Sequence, residues 1–330
     1  MRLRVDGARL WDSLEAMGDI GATPAGGCNR QALTDEDRAG RDLFRRWAEE
    51  AGLSVRVDQM GNLFARRAGA NDRRPPILIG SHLDTQPTGG KFDGVYGVLA
   101  GLEVVRTLND SDTHTESAID IAVWTNEEGA RFAPAMVGSG VWAGAFTLED
   151  AYAETSADGA TLGEELQRIG YLGSEPARPF PIHGAFELHI EQGPVLEAEE
   201  RQIGIVTGVQ GMRWYDVTVE GVSCHAGTTP MELRRDPLQS LTSVLASFFE
   251  NLPRFGPEAR ATVGVLHSEP SSRNTVPSRV AASVDLRHPD VARLDALEQA
   301  LRETLAHTCR EHGTRCLLYT SDAADDYFWV

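Results

Sequence analysis

Between Pro75 and Asn126 the chain passes from an apolar run, "PPILIGS", through a glycine-rich stretch into a helical pattern, "GVYGVLAGLEVVRTLND", and out into a second largely apolar run, "AIDIAVWTN". Runs of this kind belong to strands buried on both faces, and two of them joined by a helix make a βαβ unit. The expected class is therefore α/β, with a sheet covered by helices on both faces. The linking stretch "GSHLDTQPTGGKFDGVYGVLAG" places His82, Asp84 and Asp93 among glycines, where a strand ends and a helix begins. A core does not ask for such residues, whereas open α/β sheets bind ligands just outside the carboxyl ends of their strands.

The elements around this unit follow from local signals. Residues 34–53 open with Thr34 and Asp37 in the spacing of a capping box, carry Leu43, Phe44 and Trp47 on one face, and close at Gly52, which predicts a helix. The stretch "SVRVDQMGNLFARRAG" alternates about Met60-Gly61-Asn62 and predicts a hairpin. Residues 143–183 read as helices and loops, and "GAFELHIEQG" then alternates, with Phe186, Leu188 and Ile190 on one face and Glu187, His189 and Glu191 on the other. From about residue 211 the order becomes β-α-β-β-α-β, a two-layer α+β domain. At 330 residues the chain is long enough for two domains, here 1–210 and 211–316, and no internal repeat is seen.

Composition narrows the function. With 41% hydrophobic and 24% charged residues the chain can bury a full core, and a formal charge of -18 argues against a nucleic-acid partner. The basic run "RRAGANDRR" is short and reads as solvated loop. No signal peptide or membrane span is apparent, so a cytoplasmic protein is expected, and Cys28, Cys224, Cys309 and Cys316 lack C-x-x-C spacing and are expected as free thiols.

His82 and Asp84 after one strand, Glu127 and Glu128 after the next, and His189 on a third stand at comparable positions. Histidine and carboxylate together suit zinc or a similar divalent ion. Two adjacent acids in "TNEEGARF" follow a buried strand, where plain surface charge is a poor account of both. They divide the work if one carboxylate binds metal and its neighbour takes a proton from water. The glycines beside Asp93 allow a turn tight enough to bring its carboxylate back to the metal.

Five segments, "GSHLDTQPTGGKFDGVYGV", "TNEEGARF", "HIEQGPVLE", "HAGTTPMELRRDPL" and "NTVPSRVAASVDLRHP", resemble M20-type metallohydrolases, specifically the amidase and hydantoinase branch. That branch contains N-carbamoyl-L-amino acid hydrolases, β-ureidopropionases and allantoate amidohydrolases. The resemblance implies a catalytic domain at 1–210 with helices on both faces of a mixed sheet, an inserted α+β lid or dimerisation domain at 211–316, and a homodimer. It further implies two divalent ions (zinc, manganese, cobalt or nickel) on His82, Asp93, Glu128 and His189, with Asp93 bridging. Glu127 is then the general base and Asp84 orients His82. Gln192, Asn274 and Arg287 hold the substrate, the last two its carboxylate, and His225 stabilises the oxyanion, usually in the partner subunit's site. The implied reaction is hydrolysis of a linear amide C–N bond in a small ureido substrate, most simply an N-carbamoyl-L-amino acid. A β-ureidopropionase or allantoate amidohydrolase, an M20 aminopeptidase or deacylase, and an inactive truncated metal-binding remnant are the rival readings.

The resemblance also implies a further C-terminal segment with one more ligand histidine. The ending "LLYTSDAADDYFWV" fits no motif of the branch, so residues 317–330 are expected to be foreign and the last part of the catalytic domain to be missing.

Overall fold

The computed structural model describes residues 3–71 and 73–320. Two units form, Met1–Glu200 and Arg201–Val330.

In the first unit, α1 (Gly7–Gly18) and α2 (Asp35–Glu50) precede the hairpin β1 (Ser54–Val57) and β2 (Leu63–Arg67), whose register pairs Val57 with Leu63. Thr34 caps α2 by accepting from the Asp37 amide, but Asp37 does not complete a reciprocal box. Its Oδ2 accepts from the Leu33 amide at 2.8 Å and from Arg41 Nε at 2.9 Å, and both charged side chains are buried. Next come β3 (Ile77–His82), α3 (Val95–Asp110) and β4 (Ile119–Trp124), the βαβ unit that the apolar runs predict. The helices α4 (Val137–Ala143), α5 (Leu148–Ala153) and α6 (Leu162–Arg168) lead to β5 (Gly184–Phe186) and a turn of helix, α7 (Val195–Ala198).

The sheet order is β1-β2-β4-β3-β5, with β3 parallel to β4 and β5 and antiparallel pairing elsewhere. This is the mixed sheet expected. Its main core gathers Val98, Leu102 and Val105 of α3, Phe44 of α2 and Ile79, Ile121 and Val123 of the strands, each such side chain contributing about 1.5–3 kcal/mol on burial. The other face is closed by a small cluster in which Phe64, Trp124, Trp142 of α4 and Phe180 stack edge-on or tilted at 5.3–5.7 Å. Helices thus reach both sides. Gly80 lets β3 lie close against β4: a Cβ there would lie 2.2 Å from the Ala122 carbonyl oxygen.

β5 is shorter than the alternation of "GAFELHIEQG" predicts. It pairs with β3 only as far as Phe186, opposite Ile79, and Phe186 and Leu188 are both exposed. Beyond it the chain runs against α3, where a side chain at Gly97 would meet the Leu188 carbonyl oxygen at 2.7 Å. His189 therefore sits in the loop beyond the strand and not on it.

The second unit holds β6 (Gly211–Glu220), the short β7 (Cys224–His225), α8 (Pro237–Asn251), β8 (Arg260–Glu269), β9 (Thr275–Val276), β10 (Arg279–His288), α9 (Val291–Glu311) and β11 (Arg315–Thr320). Its four-stranded antiparallel sheet runs β11-β6-β10-β8, and β7 pairs with β9 in a separate ribbon. Alternation in β10 turns Val280, Ala282, Val284 and Leu286 into a core shared with Leu241 and Val244 of α8 and Leu297 and Leu301 of α9. The β-α-β-β-α-β order holds, with the ribbon added. β11 continues past residue 316, where the tail was expected to begin: Leu317 and Leu318 pair with Thr218 and Val217, and Leu318 packs on the core. Residues 321–330 of that expected tail lie outside the described residues.

Candidate metal centre

The parallel register opposes His82, the last residue of β3, to Trp124, the last of β4. Whatever follows β4 therefore begins beside His82. Asn126 turns the chain there with a positive φ of 52°, a conformation that asparagine tolerates better than most residues. The turn directs two consecutive amides at one carboxylate, with Glu127 N donating to Asp84 Oδ1 at 3.3 Å and Glu128 N to Asp84 Oδ2 at 3.2 Å.

Asp84 thus does a different task from the one expected. His82 Nδ1 bonds to the main-chain oxygen of Asp84 at 2.8 Å, while the carboxylate stands 3.8 Å away and holds the Glu127–Glu128 turn. A carbonyl partner makes Nδ1 the donor, which leaves Nε2 as the ring's lone-pair atom. His189 repeats the pattern, with Nδ1 on the Ile190 carbonyl oxygen at 2.8 Å and Nε2 3.1 Å from Asp93 Oδ1. One atom each of His82, Asp93 and His189 lie within 4.8 Å of one another.

Gly94 makes this approach possible. Its φ is +64°, and a Cβ on it would lie 2.5 Å from the Cγ, Cδ2 and Cε1 atoms of the His82 ring. The backbone of the glycine-rich loop lies against the imidazole, so Asp93 is carried to the mouth of β3. Asp93 Oδ2 accepts from Gln192 Nε2, whereas Asp93 Oδ1 is buried and makes no hydrogen bond. An orphaned carboxylate oxygen facing two histidine nitrogens is a donor set that fits a divalent cation.

Electrostatics point the same way. Burial, then Asp84, Glu128 and Glu187, push the Glu127 carboxyl up to about 6, and burial likewise raises Asp84. Burial opposes charge on His82, yet the carboxylates of Asp84, Glu127 and Glu128 and the bond to the Asp84 carbonyl outweigh it and raise the ring. The cluster is short of positive charge. Glu127 Oε2 lies 3.4 Å from His82 Nε2, beside the open end of the ring.

The other expected residues fall differently. Glu128 is outside the His82–Asp93–His189 group, its Oε2 accepting from Gln86 Nε2 at 2.9 Å. Gln192 contacts Asp93 itself. In the second unit, Gly227 N and Thr228 N donate to His225 Nδ1 at 3.0 and 3.3 Å, which makes Nε2 the protonated, donating nitrogen. The Ala226 amide donates to the Asn274 carbonyl oxygen at 2.9 Å, so the ribbon sets His225 and Asn274 side by side. Arg287 lies on the sheet face away from α8 and α9, with Nε and Nη2 on Asp285 at 3.0 and 2.8 Å. Sequence reasoning left Asn126, Gln86 and Arg30 unassigned. Arg30, fully buried, binds the Leu83 carbonyl oxygen through Nε at 2.9 Å, its amide donates to Thr85 Oγ1 at 2.9 Å, and the Thr85 amide donates back to the Arg30 carbonyl oxygen at 2.9 Å, so it grips Asp84 from both sides.

Comparison with known proteins decides the lineage. The model of peptidase family M20/M25/M40 matches residues 78–326. The chain belongs to that family. It is 50% identical over 313 residues to the N-carbamoyl-L-amino-acid amidohydrolase of Rhizobium meliloti, covering 95% of this chain and 75% of that protein. It is 33% identical over 311 residues to the allantoate amidohydrolase of Bacillus subtilis, covering 94% and 76%. A hydantoinase/carbamoylase family amidase from Burkholderia ambifaria superposes with a TM-score of 0.91 at 52% identity, covering 97% of this chain and 79% of that one. This M20 chain therefore sits in the hydantoinase/carbamoylase branch and is a hydrolase of C–N bonds. Members of the family depend on metal, and the His82–Asp93–His189 group is a place for one. Coverage of three quarters of a relative does not by itself show that a C-terminal part is missing, so that expectation stands unsupported. No described helix is long and apolar enough to cross a membrane.

Proposed function

We propose that this chain hydrolyses the ureido C–N bond of N-carbamoyl-L-amino acids, and that its site takes two divalent ions of the zinc, manganese, cobalt and nickel group. The observation that carries the reading is the convergence of His82, Asp93 and His189 around a buried carboxylate oxygen that accepts no hydrogen bond, with Glu127 3.4 Å from His82. A bound divalent ion supplies polarisation of the carbamoyl carbonyl and acidification of water. His82 and His189 present Nε2, their orientation held by main-chain carbonyls. Asp93 would lend its carboxylate to the ions, and Glu128 would add its own once released from Gln86. Glu127, raised to about 6, takes a proton from water near neutrality and returns it to the departing nitrogen. Asp84 keeps Glu127 in place through its amide.

In this reading Gln192 orients Asp93, and Asn274 and Arg287 receive the substrate carboxylate, Arg287 exchanging Asp285 for it through its planar fork. His225 supplies an Nε2–H to the oxyanion within a homodimer. The N-carbamoyl substrate is favoured over allantoate by the higher identity to the Rhizobium relative, 50% against 33% for the Bacillus one. Turnover of N-carbamoyl-L-amino acids, N-carbamoyl-β-alanine, allantoate and dipeptides by the metal-loaded chain tests this. A preference for the first class is expected, and faster turnover of allantoate or dipeptides would replace the assignment.

A further inference from the structure

The arginine-rich run that reads in sequence as solvated loop folds into a groove. Arg66, Arg73 and Arg74 from that run meet Arg56 of β1 and Arg178 of the loop before β5 around a space of about 480 Å³. Its walls include five prolines, among them Pro76 and Pro179, whose fixed φ holds the loops in shape.

Two of the arginines are set in advance. Asp120, wholly buried on β4, accepts from Arg66 Nε and Nη2 at 2.7 Å each and from Arg56 Nη2 at 3.1 Å. The Arg56 guanidinium also lies 4.5 Å from the Phe64 ring centre and 4.7 Å from that of Phe180. Held this way, it loses little freedom when a ligand arrives. Arg73, Arg74 and Arg178 are exposed and form no ion pair among the described residues. Among the described residues, Glu175 on the rim and Asp120 beneath stand against five arginines, a local surplus of three positive charges in a chain whose formal charge is -18.

We propose that this groove binds a compact polyanion carrying two linked phosphates, the pyrophosphate unit of a nucleotide or inorganic pyrophosphate itself. All five basic groups are guanidiniums, whose forks match phosphate oxygens in pairs, and there is no lysine in the lining. The acidic charge of the rest of the chain repels an extended polymer such as nucleic acid while leaving room for a small ligand in a local positive field. The volume is of the size usual for small-molecule sites.

The test is calorimetric titration of pyrophosphate, with ATP in a parallel arm, into the chain as purified and into the variant Arg73→Ala/Arg74→Ala/Arg178→Ala at constant ionic strength. The three side chains are exposed, so the variant keeps the wild-type melting temperature without ligand; Arg178→Ala alone serves if it does not. One saturable site per chain is expected, weakened about tenfold or more in the triple variant and about threefold in the single one. Capture of a bound metal by pyrophosphate is common to wild type and variant and drops out of the comparison. The tighter of pyrophosphate and ATP names the source of the phosphate pair. No saturable heat up to millimolar pyrophosphate, equal affinity in wild type and variants, or equal binding of citrate would overturn the proposal.

Discussion

Replacing Gly94 by alanine isolates the geometry on which the metal centre depends. The backbone there has φ +64° with ψ -46°, a conformation that costs a residue with a side chain about 1–3 kcal/mol. The new methyl would start 2.5 Å from three atoms of the His82 ring, against about 3.5–4.0 Å for carbon atoms in contact, so ring and loop must separate by about 1 Å or more. That displacement moves His82 Nε2 away from Asp93, and displaced ligand supports typically lower metal affinity by about 10–100-fold. The strain alone lowers the melting temperature by roughly 2–4 °C per kcal/mol in a domain of this size. Gly90→Ala is the matched control, since nothing lies within 4 Å of a Cβ there. Zinc titration into EDTA-treated, dialysed protein, with melting curves before and after, reads both effects. If Gly94→Ala and Gly90→Ala bind zinc equally well, the packing of the loop against His82 does not set the site.

Asp120→Asn removes the charge shared by Arg56 and Arg66; the two arginines are 32% and 40% exposed, so solvent screens the loss, and urea unfolding should show a decrease of about 1–3 kcal/mol. A change under about 0.5 kcal/mol would make this triad energetically idle. Burial raises the Asp58 carboxyl to about 6, above its unfolded value of about 3.9, so between those pH values the folded chain binds more protons than the unfolded one. The stability contributed by the neutral form is present below about pH 4 and is lost as pH rises through about 6, amounting to about 3 kcal/mol. Unfolding free energies of wild type relative to Asp58→Asn should therefore fall from pH 4 to pH 7, and a rise over that window would contradict the assignment.

How far the sequence could be read depended on the range of the interactions. The βαβ unit was legible because "PPILI" and "AIDIAVW" carry their burial in composition, and the candidacy of His82, Asp93 and His189 because histidines and acids recur just after apolar runs, with glycines beside Asp93. The work of Asp84 was not legible: whether a histidine is held by a carboxylate or by that residue's own carbonyl depends on a turn at Asn126 that pattern does not reveal. Arg30 and Arg41, both wholly buried, look like surface residues in any local window, since acceptors such as the Leu83 carbonyl oxygen for Arg30 and the Gly61 carbonyl oxygen and Thr125 Oγ1 for Arg41 are brought in by folding. The short β5 and the loop position of His189 came from the close pass of residue 188 over Gly97, a tertiary contact. The arginine groove was misread as loop for the same reason, because Arg56 and Arg178 join the run only in the folded sheet.

The most direct test of the central claim compares metal content and turnover in Glu127→Gln and His189→Ala. The proposed function gives Glu127 the proton and His189 the metal, so elemental analysis after dialysis should find Glu127→Gln loaded like wild type but inactive on N-carbamoyl-L-amino acids. His189→Ala should lose both metal and turnover. Equal metal loss in the two variants, or Glu127→Gln turning over at the wild-type rate, would contradict the division of labour built on the 3.4 Å approach of Glu127 to His82.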